Sequence, residues 1–71
     1  MIRVQAILKE HDTRFGVKET IVDSYLVEEA QADKALEMAM KKHRNSYSYT
    51  YIKFDVENKQ IILKTEENKY H

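Results

Sequence analysis

Cysteine and proline are absent from this 71-residue chain and glycine occurs once. Without cysteine there is no disulfide framework, no thiolate zinc site and no thiol nucleophile. Its absence fits a reducing compartment, and a cytoplasmic location is the expectation. The lone glycine, Gly16, leaves nothing to build the phosphate-cradling GxGxxG or Walker loops, and no GxSxG elbow occurs. No stretch approaches the ~20 apolar residues of a membrane span. The start, Met1 to Leu8, alternates too strictly for the apolar region of a signal peptide, so no membrane partner is expected. Charge of one sign is also missing, because 12 basic residues balance 12 acidic ones. The chain therefore lacks both the positive excess of a duplex-DNA binder and the acidic excess of a DNA mimic.

What remains is enough for one domain and no more. A core of this size supplies roughly 3–5 kcal/mol, so a partner or a second copy is a common supplement. Apolar residues make up 42% of the chain, and they fall in periodic segments, which argues for a folded domain over disorder.

Ile2, Val4, Ala6 and Leu8 alternate with Arg3, Gln5 and Lys9, so residues 2–10 read as a strand; Ile7 breaks the polar side. Gly16 sits in the following connection, where a positive φ is its usual contribution. Residues 17–28 are rich in β-branched side chains and read as a second strand, apolar on both faces. From about 30 to 44 the period turns helical. Ala32, Ala35, Leu36, Ala39, Met40 and His43 form one stripe. Asp33 and Glu37 lie early and Lys41, Lys42 and Arg44 late, as the helix dipole prefers. Glu37 and Lys41 form an i,i+4 pair. Residues 47–57 and 60–65 read as two more strands joined at Glu57-Asn58-Lys59, with Asn58 suited to the special dihedrals of the turn. The tail from Glu66 to His71 is polar and expected to fray. The predicted fold is α+β, a single domain of order β-β-α-β-β, with one helix on one face of a four-stranded antiparallel sheet.

Catalytic constellations are missing. Ser24, Ser46 and Ser48 have no triad partners in evidence, and Glu28, Glu29, Asp33 and Glu37 read as the solvated start of a helix. His11, His43 and His71 show no HxH, HxxxH or HExxH spacing. No catalytic, cofactor or metal residue is assigned, and a non-enzymatic protein is expected.

The most informative run is Tyr47-Ser48-Tyr49-Thr50-Tyr51. Its alternation places three phenol rings on one side of a strand, with Ile52, Phe54 and Val56 on the other. If the helix covers Ile52, Phe54 and Val56, the tyrosines lie on the open side with Tyr25 and Ile7, as a candidate interaction surface. Tyrosine favours strands for structural reasons alone, but it is also enriched at protein interfaces. The favoured reading is a protein-interaction module, a homodimer that regulates or inhibits another cytoplasmic protein. The alternative is a nucleic-acid module that stacks unpaired bases on Tyr47, Tyr49 and Tyr51, with Lys41, Lys42, Arg44 and Lys53 as a basic edge. Asp55 and Glu57 follow on the tyrosine side and oppose a phosphate chain, which favours protein over nucleic acid.

The junction Tyr25-Leu26-Val27-Glu28-Glu29-Ala30, followed by Asp33-Lys34-Ala35-Leu36, resembles a strand-to-helix style recurrent in small phage and mobile-element proteins. That resemblance implies an origin and assigns no functional residue.

Overall fold

Ile2, Val4 and Ala6 bury on one side of the first strand while Arg3 and Gln5 stay partly open on the other, as pleating requires. A computed structural model describes residues 1–12, 14, 16–43 and 48–68. Strand β1 spans Ile2–Asp12 and β2 spans Gly16–Val27. Gly16 opens β2 at φ 85°, a left-handed conformation that strains any residue with a Cβ. A 3-10 turn at Glu29–Gln31 leads into helix α1, Ala32–Lys42. Strands β3, Ser48–Asp55, and β4, Gln60–Asn68, complete the chain.

The result is the anticipated α+β arrangement, a four-stranded antiparallel sheet with one helix. Strand order is β2-β1-β3-β4, so the two hairpins join through the first strand of each. The helix returns from edge strand β2 to central strand β3 and packs chiefly over β1. Ala32, Leu36 and Ala39 are its buried positions, three members of the stripe read from sequence. The molecule measures 39 × 23 × 15 Å between Cα extremes. Its thinnest direction holds a sheet and one helical layer, so among the described residues nothing covers the second sheet face.

Which face the helix covers is the reverse of the expectation. Tyr49 and Tyr51 are 5% and 1% exposed, packed with Ile2, Val4, Ala6, Ala32, Leu36 and Ala39. Ile52 and Phe54 are half-buried on the uncovered face, and Val56 lies exposed in the turn beyond β3. Register supplies the reason. Ala6 pairs with Tyr51 and Leu8 with Tyr49, so the side of β1 that meets the helix carries the tyrosines beside it. Alanines at 6, 32 and 39 leave room between sheet and helix, and two phenol rings fill it. The rings lie 5.9 Å apart at 22°, consistent with the close packing of protein interiors.

Two smaller expectations also change. Lys59, not Asn58, takes the positive φ, 55°. Asn58 instead ties back to Asp55. Its side-chain amide donates to Oδ2 at 2.7 Å, and the backbone N–H groups of Glu57 and Asn58 donate to Oδ1 at 3.0 and 3.2 Å. Asp55 thus shapes the turn as an acceptor, a habit of aspartate before turns. Strand β4 continues to Asn68, because β3 offers partners as far as Ser48; the expected fraying does not start at Glu66. Residues 69–71 lie outside the described residues.

Candidate functional site

The expected tyrosine surface is not a surface where it is described. Tyr49 and Tyr51 lie beneath the helix, and Tyr25 is half-buried on the same side of β2. Tyr47 lies outside the described residues. Burial removes Tyr49 and Tyr51 from any platform for stacking bases. Desolvation, with smaller contributions from Glu67 and Tyr49, pushes the Tyr51 hydroxyl up to about 12. Ile7 is on the open face, paired with Ile21 and Thr50, but only 9% exposed. It occupies a central strand, and nearby the Lys9–Glu66 ion pair at 2.5 Å links β1 to β4 across β3.

The expected basic edge is largely neutralised. Lys41 pairs with Glu37 at 3.7 Å, Lys42 with Asp23 at 3.4 Å, and Lys53 with Asp33 at 2.5 Å. Lys53 belongs to the helix side of β3 and reaches along the core to the start of α1, with its side chain only 13% exposed. Arg44 lies outside the described residues. Each described lysine of the set already faces a carboxylate.

Register places a different group on the uncovered face. Leu26, Arg3, Phe54 and Ile61 align in one row, Ser24, Gln5, Ile52 and Lys64 in the next, then Ile21, Ile7, Thr50 and Glu66. Leu26, Ile21 and Ile61 are 49%, 57% and 59% exposed. With Phe54, Ile52 and Ile7 they make an apolar field interrupted by Arg3 and Gln5. The Arg3 guanidinium donates to Ser24 Oγ at 3.1 Å, which holds that charge against the sheet. An apolar centre with a polar border is the usual anatomy of a protein interface. The alternation of β1 already pointed to Ile7 on this side; Leu26 and Ile61 became assignable only with the pairing.

A polar cluster that sequence reasoning missed ties β2 to the end of α1. Ala6 pairs with Asp23 and Ile7 with Ile21, so β2 carries a bulge at Val22. Bulges re-aim side chains. Here the bulge turns Val22 onto the core, while Asp23, in regular alternation with Tyr25 and Val27, faces the helix and meets His43. His43 Nε2 donates to Asp23 Oδ2, and the His43 ring lies 5.5 Å from that of Tyr49. The hydrogen bond from His43 holds the Asp23 carboxyl below its ordinary value of 3.8; desolvation opposes this, and Lys42 assists. The chemistry of this cluster is that of a clamp between sheet and helix. Its members are 20 residues apart, so no local pattern joins them. Among the described residues, no three histidine or carboxylate side chains converge as a metal site requires.

A groove of about 400 Å³ lies between α1 and edge strand β2. Tyr25, Val27, Ala35 and Met38 form its walls, and Lys34 and Lys42 stand at its rim. No described helix is long and apolar enough to cross a membrane. No protein-family model matches the chain, and neither a curated protein nor a solved structure is detectably similar to it.

Proposed function

We propose that this chain is a protein-interaction module that self-associates through its open sheet face and acts by binding another protein. The observation that carries the reading is the exposure of Leu26, Ile21 and Ile61 around half-buried Phe54 and Ile52 on a sheet with one helical layer. Contiguous apolar surface of this kind marks interaction sites on small proteins. A second copy, packed sheet against sheet at about 10 Å, buries the same residues on both partners, as a two-fold interface requires. The polar border of Lys9, Lys64 and Glu66 then sets orientation more than affinity.

The test uses surface residues whose replacement spares the core. Light scattering of the wild-type chain is expected to give twice the chain mass, and Leu26→Lys with Ile61→Lys to give the monomer with an unchanged circular dichroism spectrum. A wild-type chain that stays monomeric at millimolar concentration defeats the reading.

A further inference from the structure

We propose that the outer edge of β2, together with the groove behind it, accepts an extended acidic segment of another protein as an additional strand. The inference shares with the proposed function the premise of a binding module, but it uses the opposite side of the sheet and needs no dimer.

The edge comes first. Among the described residues β2 pairs only with β1 and ends the sheet, so alternate N–H and C=O groups along its outer side have no strand partner there. Natural proteins usually blunt such an edge with proline, with inward charges or with a bulge. β2 contains no proline, and its inward charge Asp23 and its bulge at Val22 both precede Ser24 to Val27, which stay in regular register with β1. Those four residues lie alongside the groove, whose β2 wall is Tyr25 and Val27.

The groove then defines the side chains. A strand laid beside β2 turns every second side chain toward the helix. There Ala35 contributes little bulk, and Met38 is 62% exposed. The space between Tyr25 and Met38 suits a large apolar side chain, and methionine adapts its shape to the occupant.

Charge decides the flanking residues. Asp23 is held by His43 and Lys42, and Glu37 by Lys41. Lys34, at the rim, has no carboxylate partner among the described residues. The rim therefore has an unmatched cation, and an aspartate or glutamate next to the apolar anchor complements it.

The test pans a displayed library of random dodecapeptides against the wild-type chain, with the Met38→Asp variant as counter-target. Met38 is exposed, so this variant keeps the fold, which circular dichroism checks. Enriched peptides are expected to carry a large apolar residue beside an acidic one and to shift the amide resonances of Ser24 to Val27. Affinity is expected to fall about tenfold or more in Met38→Asp. It is expected to fall about two- to fivefold in Lys34→Glu, with recovery in Lys34→Arg. Methylating alternate backbone nitrogens of the selected peptide on the β2 side is expected to abolish binding. No enrichment over Met38→Asp, or binding indifferent to that methylation, overturns the proposal. So does a response confined to Ile52, Phe54 and Ile61. None of these outcomes bears on the oligomeric mass, so the self-association reading stands or falls separately.

Discussion

Tyr51 and Thr50 are neighbours that face opposite ways, and they show how much one residue decides in a chain this small. Tyr51 is 1% exposed under the helix. Truncating a buried aromatic costs about 3–5 kcal/mol, comparable with the whole stability of a domain this size, so Tyr51→Ala is expected to unfold the protein instead of merely dissociating it. Its hydroxyl, pushed from 10.0 up to about 12, stays neutral in the folded state where an unfolded chain has begun to ionise. That preference stabilises the fold fully below pH 10 and is lost as pH rises toward 12. Tyr51→Phe is therefore expected to shift the alkaline unfolding midpoint upward, measured by circular dichroism against pH. Thr50 is 2% exposed on the other face, and its Oγ1 has no hydrogen-bond partner among the described residues. A buried hydroxyl without a partner costs about 1–3 kcal/mol. Thr50→Val keeps the shape and removes the hydroxyl, so it is expected to raise Tm by about 4–8 °C per kcal/mol recovered. A lower Tm contradicts this account of Thr50.

At the scale of elements, the helix and β2 are joined through one hydrogen-bonded pair, His43 and Asp23. The stripe of Ala32, Leu36 and Ala39 gives α1 a face to bury, and that face was readable from the spacing alone. The end of α1 is tied to the sheet by the meeting of His43 with Asp23, which faces the helix because it pairs with Ala6, in step with Tyr25 and Val27. The Asp23 carboxyl is held below 3.8. Its contribution is thus complete above that value and decays as pH falls through the depressed folded value. Asp23→Asn is expected to cost about 1–2 kcal/mol at neutral pH, given the cluster's partial exposure. In thermal melts from pH 7 down to pH 2, the gap between this variant and the wild type is expected to close in the acid range. A constant gap means that Asp23 acts through packing and not through its charge. The hairpin of β3 and β4 shows the same division between pattern and geometry. Its existence follows from two apolar runs around a polar turn, yet Asp55 anchors that turn and Lys59 adopts its left-handed dihedral.

For the whole molecule, the decisive fact is that one helix covers one face of four strands. The other face and both outer strands then meet solvent. On edge strand β4, Ile61, Ile62 and Leu63 are 59%, 50% and 38% exposed, an unusual run for a monomer's edge. The proposed self-association through the open face buries Ile61 on each copy, and it makes stability depend on concentration by mass action. The wild-type Tm is therefore expected to rise with protein concentration, while that of Leu26→Lys with Ile61→Lys stays flat. The groove at β2 lies on the helix side and remains available in the proposed dimer, so the two proposed partners do not compete.

Local pattern carried the order of elements. Alternation marks β1, three- and four-residue spacing marks α1, and a lone glycine marks the first turn, because each depends on neighbours within a few residues. Sequence alone also bounded the chemistry, since residues that are absent cannot act as ligands or nucleophiles. Only tertiary structure decided which face of β3 is inside. Both of its faces carry large apolar or aromatic groups, and a period of two is satisfied equally by either choice. Pairing with β1 broke that tie and buried Tyr49 and Tyr51 beneath the alanines of the helix. The proposed interaction surface passed thereby to Leu26, Ile52, Phe54 and Ile61, residues brought together by a register that no local pattern encodes.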